Sequence, residues 1–114
     1  MKVRELNHII NGTLVCGAQY DDREVKSAFA SDLMSDVLTI NADQLVLITG
    51  LANVQAIRTA EMSDISVIVV ARNKSVTEDM INLAKVNEIV LITCTYSVYK
   101  TSGLLYESGL KPLY

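Results

Sequence analysis

The sequence is poor in the residues that usually announce a chemical class. It has one histidine and two cysteines, Cys16 and Cys94, far apart and in apolar surroundings. With no Cys-x-x-Cys pair and no second imidazole, a metal site lacks a ligand set, and both thiols read as buried and reduced, as in a cytosolic protein. A single proline in 114 residues, half of them apolar and 20% charged, excludes a disordered or collagen-like chain. Long hydrophobic runs are absent too: Val67–Ala71, with Ile65 just ahead, falls far short of the roughly 20 residues needed to cross a bilayer. The opening Met1-Lys-Val-Arg-Glu-Leu is charged and has no apolar core, unlike a signal peptide. A cytoplasmic location without a membrane partner is therefore expected. The net charge is -3 and the ten basic residues are scattered singly or in isolated pairs, so no basic face offers itself to nucleic acid. Linkers, low-complexity tracts and charge blocks are missing, and residues 1–114 are expected to form a single domain.

What is present is a repeat of short, uncharged, β-branched runs. Leu45–Ile48, Ser66–Val70 and Val90–Thr93 recur at nearly constant spacing, and each interval has helical periodicity, which predicts an α/β fold with a mainly parallel central sheet flanked by helices. Ahead of them, Val3, Leu6 and Ile10 predict a short amphipathic helix with Gly12 as its left-handed stop, and Thr13–Cys16 a strand. The alternation of Val25, Ser27 and Phe29 with Lys26, Ala28 and Ala30 predicts a second strand with one small-residue face. Ser31-Asp32 should cap a helix through Leu33, Met34, Val37, Leu38 and Ile40. Leu51, Val54, Ile57 and Met62 mark the buried side of a helix from about Ala52 to Glu61. Ser75-Val-Thr-Glu78 fits a capping box for a helix burying Met80, Ile81 and Ala84, with Asn87 as terminator. A last helix is predicted with Val98, Tyr99, Leu105 and Tyr106 inward and Gly109 as a Schellman stop.

Open parallel sheets bind ligands beyond the carboxyl ends of their strands, where turns meet the positive ends of the following helices. Those turns hold Thr49, Gly50 and Asn53; Arg72, Asn73 and Lys74; and Thr93, Cys94 and Thr95. Hydroxyls, amides and two cations would suit a small anion or nucleotide, although Thr, Asn and Gly are also ordinary turn residues. The turn Thr49-Gly50-Leu51-Ala52-Asn53 has one glycine, so both Gly-rich phosphate motifs are absent and no cofactor is expected. Asp32 and Asp36, four apart, form a candidate carboxylate pair on one helix face, and Cys94 a candidate nucleophile near a helix start. His8 has no evident partner and reads as structural or solvent-exposed.

The stretch Asp22-Arg23-Glu24-Val25 and then Ala28-Phe-Ala-Ser-Asp32-Leu33-Met-Ser-Asp36-Val37-Leu38 resembles the defining segment of DRTGG domains, in which Asp-Arg opens a strand and a Ser-Asp-Leu turn leads into a helix. The later Leu-Val-Leu-Ile-Thr-Gly, Ser-Val-Ile-Val-Val and Gly-Leu-Leu-Tyr-Glu-Ser-Gly-Leu segments are similar in order, so the resemblance covers almost the whole chain. It departs after Asp22-Arg23, where Lys26-Ser27 replaces the family's glycine pair. The resemblance implies a fold like the N-terminal domain of HPr kinase/phosphorylase, without the kinase domain, and an accessory or regulatory role. It also marks Asp22, Arg23, Ser31 and Asp32 as residues bordering a ligand site. The leading expectation is a non-catalytic regulatory or ligand-sensing module for a nucleotide or phosphorylated small molecule. The competing classes are a small enzyme using Asp32, Asp36 or Cys94, and a purely protein-binding accessory subunit. Half the residues being apolar in so short a chain also predicts a homodimer, through a patch combining Ala28 and Ala30 with Met34 and Leu38.

Overall fold

In a computed structural model that describes all residues 1–114, the chain folds as α1 (Val3–Ile9), β1 (Thr13–Cys16), β2 (Ser27–Ala30), α2 (Met34–Val37), β3 (Leu45–Thr49), α3 (Val54–Met62), β4 (Val67–Val70), α4 (Glu78–Val86), β5 (Val90–Thr93), α5 (Val98–Glu107) and β6 (Lys111–Pro112). The six strands form one sheet in the order β1-β5-β4-β3-β2-β6. All pairings are parallel except β1 with β5, which is antiparallel and irregular between Leu14 and Cys16. This is the single, mainly parallel α/β domain expected from the three apolar runs.

Those runs are continuous because both faces of the sheet are covered. On one face Leu47, Ile68, Val70 and Leu91 pack against Met34 and Val37 of α2, Ile57 and Ala60 of α3 and Met80 and Ala84 of α4. On the other, Val46, Ile48, Val69 and Ile92 pack against Val3 and Leu6 of α1 and Leu105 of α5. Successive strands β2 to β5 are thus joined across one face, and α5 then crosses the opposite face to place β6 beside β2.

Helix ends differ from the expectations in instructive ways. α1 stops at Asn11, left-handed at φ 51°, with the Asn11 and Gly12 amides donating to the carbonyls of His8 and Asn7. Gly12 is required for another reason: a Cβ there would lie 2.5 Å from Asn7 Oδ1 and 2.8 Å from Ile92 Cγ2. α3 begins at Val54, and Met62 is 69% exposed rather than buried. α4 is capped by the Thr77 hydroxyl, which accepts from the Met80 amide at 3.2 Å, so the cap lies two residues beyond Ser75 and, with Met80 at its third position, the predicted box does not form. Asn87 and then Glu88, at φ 56°, end α4. Gly109 does close α5 by a Schellman motif, with Leu110 N–H on the Leu105 carbonyl and Gly109 N–H on that of Tyr106, both 3.1 Å.

Two faces differ from the sequence expectation. α5 turns Val98, Thr101 and Leu105 toward the sheet, and leaves Tyr99 and Tyr106 89% and 70% exposed. α2 is four residues long, with Met34 in the core and Leu33 and Leu38 exposed. Ala28 packs on the α1/α5 face while Met34 lies on the other, so the two halves of the expected dimer patch do not form one surface.

Candidate functional site

The topology defines one distinctive point. Neighbouring strands β4 and β5 send their following helices, α4 and α5, to opposite faces, and a crevice between such strands at their carboxyl ends is where open α/β sheets bind ligands. The β4 turn enters it with two successive left-handed residues, Arg72 at φ 71° and Asn73 at φ 56°. Each such conformation costs a non-glycine residue about 1–2 kcal/mol. The turn is held there by the β5 loop: Arg72 N–H donates to the Tyr96 carbonyl at 2.7 Å and Asn73 N–H to the Cys94 carbonyl at 3.0 Å. These bonds fix the backbone and leave the side chains of Arg72, Asn73 and Lys74 exposed. The chain's ion pair joins the amino terminus to Glu24 at 3.1 Å, and Arg72 and Lys74 have no such partner.

The β3 turn lies alongside. Asp32 Oδ1 accepts from the Gly50 amide at 2.6 Å and from the Thr49 hydroxyl at 2.9 Å, and Thr49 Oγ1 accepts in turn from the Leu51 amide at 3.1 Å. Arg72 runs over Gly50: a Cβ on that glycine would meet Arg72 Cδ at 2.7 Å, Arg72 Nη1 at 3.1 Å and Asp32 Oδ2 at 3.3 Å. Gly50 is there because the arginine stem occupies the space of its side chain. Ser31 closes a local turn by accepting from the Leu33 amide at 3.0 Å, and Asn53 Oδ1 caps α3 by accepting from Ala56 N–H at 3.1 Å. Thr95 is exposed in the β5 loop.

The sheet's carboxyl edge therefore gathers Ser31, Asp32, Thr49, Gly50, Asn53, Arg72, Asn73, Lys74 and Thr95. Asp22 and Arg23 are not brought to it. Arg23 Nη1 donates to the carbonyls of Ser66 and Glu88, both at 2.9 Å, and these residues precede β4 and β5 at the amino edge. Its guanidinium also stacks 4.4 Å from the Tyr20 ring centroid. The expected carboxylate pair is likewise divided, since Asp36 belongs to α2 while Asp32 precedes it and is tied to the β3 turn. Cys94 is buried with its Sγ 3.3 Å from Thr101 Oγ1, which closes it to an incoming substrate. Cys16 is buried on the opposite face of the sheet from Cys94, both thiols are free, and burial pushes the Cys16 thiol up. His8 is exposed on α1, and no group of three His, Cys, Asp or Glu side chains could hold a metal.

The backbone amides at this edge are largely engaged, and the helix starts are self-capped by Asn53, Thr77 and Ser97. Recognition of a ligand here would fall to side chains on an open surface; the five principal cavities involve none of these residues. Sequence reasoning missed Tyr96 and Thr101, which position the β4 turn and cover Cys94. Tyr96 acts through its carbonyl, which leaves no side-chain signal, and Thr101 is a hydroxyl within an otherwise apolar stripe.

No protein-family model and no curated protein matches the sequence. The fold does match a solved structure of the CBS and DRTGG domains of the regulatory region of Clostridium perfringens pyrophosphatase, complexed with its activator diadenosine tetraphosphate. The TM-score is 0.75 at 16% identity, over 94% of this chain and 46% of that one, so this chain spans about half the neighbour's length. The likeness is one of fold, to a region built of CBS and DRTGG domains. No helix is long and apolar enough to cross a membrane.

Proposed function

We propose that this chain is a non-catalytic regulatory module that senses an anionic small molecule, a nucleotide or a phosphorylated metabolite, at the carboxyl edge of its sheet. The observation that carries this reading is the placing of two exposed cations, Arg72 and Lys74, on a turn with two successive left-handed residues locked by the β5 loop at the topological switch. Strain of this kind collects at functional positions. Arg72 offers a planar fork to phosphate and Lys74 a point charge, with Asn73 and Thr95 adding hydrogen bonds. Asp32, held through Oδ1, has Oδ2 left to accept from a sugar hydroxyl or an amino group. The structural neighbour supports the class of ligand, since it comes from a regulatory region crystallised with a nucleotide activator.

The test is a thermal-shift and titration series with nucleoside mono-, di- and triphosphates and diadenosine tetraphosphate. A ligand at 100 times its dissociation constant raises stability by about 2.7 kcal/mol. Replacing Arg72 and Lys74 together by Ala should weaken such a ligand by roughly 2–4 kcal/mol, the loss of two charge-assisted contacts. Unchanged affinity in the double variant places the ligand elsewhere, and a panel without hits favours a protein-binding accessory role.

A further inference from the structure

α5 carries a glycine that nothing inside the chain explains. Gly103 lies mid-helix, has no positive φ, and a Cβ added there would meet nothing within 4 Å. A glycine in a helix interior destabilises it relative to alanine, so a free surface has no use for one. Around it the helix is exposed and aromatic: Tyr99 and Tyr106 flank Gly103 at the four- and three-residue spacings of a helix-packing seam. Tyr99, Lys100, Ser102, Leu104, Tyr106 and Glu107 surround the glycine on an open helix face.

These residues are self-complementary about one point. In two antiparallel helices related by a two-fold axis beside Gly103, each residue faces the one on the same flank of the seam at the opposite height, which pairs positions seven apart that straddle residue 103. Lys100 then meets Glu107 of the second copy, and Tyr99 meets Tyr106 of the second copy. The first contact joins an ammonium to a carboxylate, and the second stacks two exposed rings. The Lys100 ammonium also lies 3.9 Å from the ring centroid of its own chain's Tyr96. A parallel pairing would instead put like beside like, Lys100 on Lys100 and Glu107 on Glu107. The missing side chain at 103 lets the two backbones approach closely enough for both tyrosines to be covered.

We infer that α5 is a homodimerisation face, with two copies crossing antiparallel at Gly103. The inference stands apart from the ligand reading, because it uses none of the residues at the carboxyl edge. Sedimentation equilibrium on the full chain should give twice the chain mass. Gly103→Leu and the double variant Tyr99→Ser/Tyr106→Ser should each raise the dimer dissociation constant tenfold or more, on the order expected for central aromatic anchors. Gly103→Ala supplies a readout that a purely structural glycine would not: the helix gains propensity, so dilute monomer melts higher, while the dimer weakens. Gly103→Cys should cross-link two copies on mild oxidation, the native thiols being buried. A chain that stays monomeric up to millimolar concentration, leaving α5 to another partner or to water, overturns the inference. So does a dimer whose dissociation constant is unmoved by all of these variants while circular dichroism shows them folded.

Discussion

Removing the Arg23 side chain should destabilise the fold and leave the carboxyl edge untouched. Arg23 Nη1 spends both hydrogens on main-chain carbonyls at 2.9 Å, those of Ser66 and Glu88. The segment around it is stitched to α1, with Val3 N–H on the Arg23 carbonyl and Arg4 N–H on that of Asp21. The guanidinium thus ties the start of α1 to the starts of β4 and β5. Hydrogen bonds to a charged group contribute about 1.5–3 kcal/mol each when well shielded. Here one acceptor is part-buried and the other exposed, and the Ser66 carbonyl keeps a second donor in Val90 N–H, so the two bonds together count for about 1.5–2.5 kcal/mol, below the shielded range. Adding about 0.5 kcal/mol for the stacked Tyr20, Arg23→Ala should cost about 2–3 kcal/mol. In urea, with a slope near 1.5 kcal/mol/M, the midpoint should fall by about 1.5–2 M without a change of slope. Arg23→Lys should fall between, since an ammonium can face the ring but has no fork to span both carbonyls. A loss below about 0.5 kcal/mol would refute the clamp, as that is the size of an unexceptional surface substitution. A matching loss of ligand affinity at constant fold would return Arg23 to the binding site that its sequence context suggested.

Three further outcomes follow from single positions. Thr59 is fully buried and its Oγ1 has no hydrogen-bond partner, so Thr59→Val should stabilise by about 1–2 kcal/mol in the same urea titration; a destabilised variant would mean that the hydroxyl is paired. Glu88 holds a left-handed φ of 56° at the end of α4, and Glu88→Gly should raise the melting temperature by several degrees, about 1 kcal/mol, because only its main-chain amide and carbonyl are used. Burial raises the Cys16 thiol above its ordinary value, so its protonated form is favoured in the fold. Its contribution is complete below the unfolded value of roughly 8.5 and is lost as pH rises through the folded one, so the stability gap between wild type and Cys16→Ala should narrow at alkaline pH and stay flat from neutral pH downward.

The parts legible in the sequence were those where burial is two-sided. β3, β4 and β5 read as apolar runs because helices cover both of their faces, and α4 announced its inward residues by spacing. β6 was invisible: two residues, one of them Pro112, carry no period. The phase of α5 was misread because tyrosines count as apolar in a stripe and Thr101 does not, whereas the fold buries the threonine and exposes the rings. At the candidate site, which strands end together was predictable from the repeat, but the Arg72 guanidinium over Gly50 was not, since it depends on two left-handed residues without glycine. The placement of Arg23 at the amino edge was hidden for a similar reason, because its partners are carbonyls, and every residue has one.

The two outer strands have a consequence for how this sheet meets other chains. β1 is short and loses register between Leu14 and Cys16, and β6 is two residues long with Pro112 unable to donate. An incoming strand at either side finds no straight row of donors and acceptors to copy, so the fibril-like growth open to a parallel sheet with bare flanks is denied to this one. Where the local concentration is high, as on a crowded ribosome or in an overexpressing cell, edge-to-edge stacking should stay suppressed beyond what a net charge of -3 alone would achieve.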